Sequence, residues 1–262
     1  MTDWAQVAAL ALIQGMTEFL PVSSSAHLIL PSQILGWPDQ GLLFDVSVHA
    51  GTLCAVLWYF RATFGSFLTH ALPASAADRS ELWSLCIATI PIVIAGVVFK
   101  DLIATEARAV AVITATTLGF GVLMGLADRA SKRGAMRQGP VSHGHALLIG
   151  LAQVFALIPG TSRSGVTITA ALFLGYHPAA ATRFSFLLSV PVIGGALLVM
   201  LATADAGETP LEADAMLLAF VLSAVFAYAT IKVFMYLLDK VGLMPFVVYR
   251  VLLGLLLWVW IT

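Results

Sequence analysis

Apolar residues in this chain come in long blocks, and the polar residues interrupting them sort the blocks into two kinds. Six blocks are clean: residues 42–60, 82–99, 109–127, 184–204, 215–238 and 246–262. Each approaches the roughly 20 residues that a helix needs to cross about 30 Å of hydrocarbon. Two are not clean. Residues 4–36 contain Gln14, Glu18, Pro21, Ser23, Ser24, Ser25 and His27, and residues 146–176 contain Gln153, Pro159, Gly160, Ser162, Arg163, Ser164 and Thr167. Both read as helix, break, helix. A re-entrant hairpin suits each, because broken backbone at membrane depth persists only where it is buried in protein or lines a wet cavity. Pro91 predicts a kink in its span. Residues 61–81 read as a polar loop.

Loop charge orients these elements. Residues 128–145 carry Arg129, Lys132, Arg133 and Arg137 against one acid, whereas residues 205–214 carry four carboxylates and no base. The positive-inside rule puts the first loop in the cytoplasm and the second outside. Counting back, loop 61–81 is cytoplasmic and turn 100–108 is outside. The two hairpins then enter from opposite faces. The expected fold is all-α: six transmembrane helices plus two re-entrant helical hairpins in an inverted-topology repeat within a single membrane domain, with repeat 1 over about 1–128 and repeat 2 over about 146–262. A faint echo supports the repeat. Gln14, Glu18, Pro21 and Ser24 recur as Gln153, Leu157, Pro159 and Ser162, and Phe44, Asp45 and His49 recur as Phe184, Ser185 and Ser189. Inverted repeats built on broken helices put their site near the midplane, where the breaks meet.

Composition agrees. Of 262 residues, 60% are hydrophobic and 10% charged, against about 25% charged in soluble domains; mean hydropathy is +0.97. A net charge of −1 gives no footing for a nucleic-acid partner. Cys54 and Cys86 lie in apolar runs and are expected to be buried free thiols. No cleavable signal peptide is expected, since the first apolar run starts at Trp4, lacks a basic flank and is interrupted by Glu18. The Trp and Phe residues read as interfacial belts and core.

The breaks hold the chemistry. Gln14 and Glu18 share a helix face, and Glu18, Ser24 and His27 supply a carboxylate, a hydroxyl and an imidazole, the parts of nucleophilic or acid–base catalysis. The second break complements them. Gly160 and Gly165 let backbone approach a ligand; Ser162, Ser164 and Thr167 offer hydroxyls; the N–H groups opening the next helix favour an anion. Arg163 suits bidentate phosphate recognition. An arginine at membrane depth costs at least about 2.5–3.5 kcal/mol on insertion scales, so its presence calls for a function. Asp45, His49 and Ser185 are assigned to core hydrogen bonding beside the site. His70, His143 and His145 are expected to be solvated, and Arg183 and Arg250 to mark an interface. No metal cage is evident, although Glu18 suffices for a hard cation shared with substrate phosphates.

The two motifs, Gln14-Gly-Met-Thr-Glu18-Phe-Leu-Pro-Val-Ser-Ser24-Ser-Ala-His27 and Pro159-Gly-Thr-Ser162-Arg163-Ser164-Gly-Val-Thr167, resemble those of the undecaprenyl-pyrophosphate phosphatase family, the bacitracin-resistance proteins of the bacterial inner membrane. The resemblance runs over nearly the whole chain. Gln14 stands where some members have Glu, which argues against a two-carboxylate metal site. The resemblance implies hydrolysis of a polyprenyl diphosphate to the monophosphate and inorganic phosphate, with Mg²⁺ or Ca²⁺ as cofactor. It also implies a site open to the periplasm, in a fold that agrees with the loop-charge topology. Dimers occur in such proteins. Catalysis would fall to Glu18, Ser24, His27 and Arg163, with Ser24, His27 or water as nucleophile and Glu18 as base or metal ligand. Substrate binding would fall to Gln14, Ser25, Gly160, Ser162, Ser164 and Thr167. Two rivals remain at this stage: a polyprenyl-phosphate carrier, and a non-catalytic lipid-binding protein.

Overall fold

Where water is absent, backbone amides and carbonyls must satisfy one another, so long apolar blocks fold as helices. A computed structural model describes residues 3–38, 40–69, 76–99, 109–132, 136–203 and 212–262, without the side chains of 68–69, 76–78 and 203. The helices are α1 (Trp4–Thr17), α2 (Ser24–Leu35), α3 (Leu42–Tyr59), α4 (Arg61–Thr69), α5 (Ala76–Val98), α6 (Val110–Ser131), α7 (His143–Gln153), α8 (Arg163–Phe173), α9 (Pro178–Thr203), α10 (Ala213–Val241) and α11 (Met244–Ile261), with a 3₁₀ turn at Val154–Leu157. Six are long and apolar enough to cross a membrane: α3, α5, α6, α9, α10 and α11. Among the described residues no strand forms; Arg137 and Tyr176 make one isolated bridge.

The six expected spans are present, with revisions at their edges. Residues 61–69 form helix α4 rather than loop, and α5 begins at Ala76, inside the expected loop. Helix α9 begins at Pro178, ahead of residue 184. Its polar first turns are tolerated because Arg183 forms a two-point ion pair with Glu81 of α5, which is a side-chain partner as well as an interfacial position. Helix α6 continues to Ser131, where Asp128 is buried and paired with Lys132 at 2.7 Å. Pro91 lies inside α5 as expected. Turn 100–108, most of the acidic loop and His70 lie outside the described residues.

Packing follows the two halves. Helix α10 packs on α3 and α1, α5 packs on α9 and α7, and α6 packs on α11. Exchanging the halves turns α1 on α10 into α7 on α5, and α3 on α10 into α9 on α5. Small residues allow the closest approaches. A Cβ on Gly51 would stand 2.4 Å from the carbonyl oxygen of Phe220, and one on Gly150 2.5 Å from that of Ala88. Close backbone contact of this kind drives helix association where the hydrophobic effect cannot. Trp58, Trp83, Trp258 and Trp260 are exposed near helix ends, as a belt requires. Cys54 and Cys86 are free but exposed, not buried; their helix faces turn outward, where apolar surroundings are lipid rather than core.

Candidate active site

Each break is closed by a serine in the left-handed region. Helix α1 stops at Thr17, and α2 restarts after Ser23, at φ 75°. The 3₁₀ turn ends at Leu157, and α8 restarts after Ser162, at φ 71°. In both, the serine faces the hydroxyl two residues on: Ser23 and Ser25 are 3.2 Å apart, as are Ser162 and Ser164. Each left-handed serine follows its glutamine, Gln14 or Gln153, at the same spacing. The structural counterpart of Ser162 is therefore Ser23, and Ser24 corresponds to Arg163. The sequence echo, which paired Ser24 with Ser162, is one residue out of register there. Gly160, at φ 89°, leaves no room for a side chain: a Cβ would lie 2.2 Å from Thr116 Oγ1.

The breaks meet at a carboxylate. Glu18 Oε2 accepts from Gln14 Nε2 at 3.0 Å and from Ser24 Oγ at 2.7 Å. Glu18 Oε1 accepts from Arg163 Nη2 at 3.2 Å across 145 positions of chain. Arg163 Nη1 donates to the Ser185 carbonyl at 3.0 Å. Both charged side chains are about nine-tenths buried, so removing either would leave the other a buried charge without its partner. Ser164 Oγ donates to the Leu20 carbonyl in the opposite break at 2.9 Å. Thr167 Oγ1 lies 2.7 Å from Ser185 Oγ, which gives Ser185 the hydrogen-bonding role expected of it.

His27 sits on a separate arm. Its Nδ1 is 2.7 Å from the Ser23 carbonyl, and its Nε2 is 2.5 Å from the Tyr249 hydroxyl. Ser24 is thus bonded to Glu18 rather than to the imidazole. Ser25 is exposed and lines a cleft of about 210 Å³ together with Asp45, His49, Gln40 and Trp37. His49 Nδ1 bonds the Asp45 carbonyl at 2.7 Å.

Arg250 corrects the sequence reading most sharply. It does not mark an interface: it is fully buried. Its five N–H groups reach five carbonyl oxygens: Gly160 at 2.8 Å, Thr161 at 2.9 Å, Pro21 at 3.2 Å, and Thr116 and Thr117 at 3.3 Å. These carbonyls belong to both breaks and to α6. To Gly160, Thr161 and Pro21 the guanidinium supplies the donors that the interrupted helices no longer provide, and it adds a second bond at two α6 carbonyls. The signal that singled out Arg163, an arginine with apolar flanks on both sides, applies equally to Arg250. Tyr249 had no such signal. His145 is also revised: it is half-buried, with Nδ1 2.9 Å from the Tyr176 hydroxyl.

Among the described residues no three His, Cys, Asp or Glu side chains cluster for a metal. One observation nonetheless fits a hard cation. Gln14 Oε1 is buried without a partner, beside a carboxylate, and amide and carboxylate oxygens are the donors Mg²⁺ and Ca²⁺ take.

Residues 7–256 match the family described as bacitracin resistance protein BacA. The undecaprenyl-diphosphatase of Alcanivorax borkumensis is 53% identical over 269 residues, covering 99% of this chain and 100% of that one. That of Hahella chejuensis is 50% identical over 264 residues, covering 98% of each. That of Teredinibacter turnerae is 51% identical, covering 98% of this chain and 99% of its own.

Proposed function

This chain belongs to the bacitracin resistance protein BacA family, and from that membership we propose that it is an undecaprenyl-diphosphate phosphatase. It is a multi-span membrane hydrolase that converts undecaprenyl diphosphate to undecaprenyl phosphate and inorganic phosphate. That reaction returns the lipid carrier to cell-wall synthesis and underlies bacitracin resistance. The observation that carries the site assignment is the Arg163–Glu18 pair, which joins the two breaks with Ser24 on the same carboxylate.

In the proposed mechanism the diphosphate enters between the breaks with its tail in lipid. The Arg163 guanidinium, the hydroxyls of Ser162, Ser164 and Thr167, and the N–H groups near Gly160 and opening α8 hold the phosphate oxygens. Phosphoryl transfer is mostly positioning and charge stabilisation, so these groups supply most of the rate. Ser24 Oγ attacks the terminal phosphorus and the bond to the bridging oxygen breaks. Glu18, already the acceptor of the Ser24 proton, takes that proton, and the lipid monophosphate leaves. Water then attacks the phosphoserine, the Ser24 Oγ–P bond breaks and inorganic phosphate leaves; the water's proton goes to His27 Nε2 and on to solvent, and Glu18 returns the first proton to Ser24 Oγ. Gln14 and Ser25 flank the substrate. Where Glu18 serves as metal ligand rather than base, Glu18 and Gln14 Oε1 would hold Mg²⁺ or Ca²⁺ with substrate oxygens, and the cation would neutralise phosphate charge.

Direct attack by His27 Nε2 is a second route, favoured by the Ser23 carbonyl, which keeps the ring proton on Nδ1. Trapping the phosphoenzyme separates the two, because phosphohistidine is acid-labile and phosphoserine is not. The inner-membrane location and a periplasm-facing site rest on family membership and loop charge; a homodimer is part of the same family expectation. The deciding experiment is phosphate release from a prenyl diphosphate by purified protein in detergent, with and without a chelator. Binding without release would favour the carrier.

A further inference from the structure

The imidazole of His27 is held at both nitrogens, and the two holds differ in kind. A carbonyl oxygen only accepts, so the Ser23 carbonyl, 2.7 Å away, requires the proton on Nδ1. In the neutral ring Nε2 then carries the lone pair. That nitrogen meets the Tyr249 hydroxyl at 2.5 Å, which donates to it. The two rings also stack, with centroids 5.7 Å apart and planes 16° from parallel. Ser23 therefore decides which nitrogen carries the proton, and Tyr249 decides where the other one points.

Tyr249 is well placed to aim a ring. Its neighbour Arg250 is tied to five carbonyls of the breaks and α6, so the backbone that carries the phenol is fixed relative to Ser23 and Glu18. Tyr249 is itself 42% exposed, so substrate and water can reach the imidazole beside it while the hydroxyl holds the ring. We propose that Tyr249 is a positioning residue for the phosphatase reaction, its hydroxyl orienting His27 so that Nε2 faces the reacting phosphate. This rests on His27 being catalytic, as set out above.

The test is Tyr249→Phe, which keeps the stacked ring and removes only the hydroxyl, beside Tyr249→Leu, which removes both. Phosphate release is measured in detergent on a prenyl diphosphate. One well-formed hydrogen bond corresponds to about tenfold in rate. For Tyr249→Phe we expect kcat down by about tenfold with KM within about twofold of wild type. In protein carrying ¹⁵N-labelled histidine, the Nε2 resonance that His27→Ala removes should shift in Tyr249→Phe toward that of an unbonded ring nitrogen. Wild-type kcat in Tyr249→Phe, with loss only in Tyr249→Leu, would assign the residue to packing and overturn the proposal. So would an unmoved Nε2 resonance. Full activity in His27→Ala would instead overturn the reading of His27 on which the proposal rests.

Discussion

Replacing Arg250 by lysine keeps the charge and removes the fork. An ammonium has three hydrogens on one atom, whereas the guanidinium reaches five carbonyls. At least two of these bonds are lost. A hydrogen bond from a charged group contributes about 1.5–3 kcal/mol, so Arg250→Lys should destabilise the fold by about 3–6 kcal/mol. The loss falls on the breaks, because Gly160, Thr161 and Pro21 supply three of the acceptors, so the site should loosen as the fold weakens. Unfolding in mixed micelles, followed by tryptophan fluorescence, measures the first effect, and phosphate release at low temperature measures the second. Arg61→Lys is the control. Arg61 is exposed; its guanidinium lies 5.0 Å from the Trp58 ring centroid and donates to the Trp58 carbonyl at 3.0 Å, and its substitution by another cation should change stability by no more than about 0.5 kcal/mol. If Arg250→Lys unfolded and turned over like wild type, the guanidinium would not be what joins the two breaks.

Arg163→Lys should cost activity more than stability: the ammonium still faces Glu18 but loses the bond to the Ser185 carbonyl and the fork offered to phosphate, so activity should fall by about 10²–10³; comparable turnover would count against a bidentate clamp. Ser24→Ala should abolish any acid-stable phosphoenzyme trapped from a labelled diphosphate, and a trapped species that persists in it would point to His27. Gly160→Ala should fail to accumulate in membranes, because its Cβ would meet Thr116 Oγ1 and the Ile113 carbonyl at a backbone angle that alanine avoids; normal expression would show that the break can yield. A chelator should lower phosphate release in wild type, and Gln14→Ala should raise the Mg²⁺ concentration needed to restore it; an unchanged requirement would remove the amide from the cation's surroundings.

Hydropathy made the six spans and both interrupted segments legible, because in lipid every polar residue in a helix needs a reason to be there. Glu18, Ser24, His27 and Arg163 stood out on those grounds, and Glu18, Ser24 and Arg163 do converge. What escaped was partnership. Nothing in the sequence says that Ser24 turns to Glu18 while His27 turns to Tyr249, since α11 lies more than 200 residues from α2. The polar start of α9 looked like loop because Glu81, which neutralises Arg183, sits on a different helix. Arg250 was passed over for a related reason: a buried arginine with no carboxylate is costly until the freed carbonyls of two broken helices are counted as its partners.

That clamp has a bearing on how the molecule is made. Arg250 follows the two breaks by 229 and 89 positions, so a ribosome delivers both half-sites well before it delivers the residue that unites them. A chain still leaving the insertion machinery would carry serine, carboxylate and guanidinium, yet hold them loosely. Competence would come late and all at once, with the seating of the last helix, and a nascent chain would not hydrolyse lipid diphosphates prematurely.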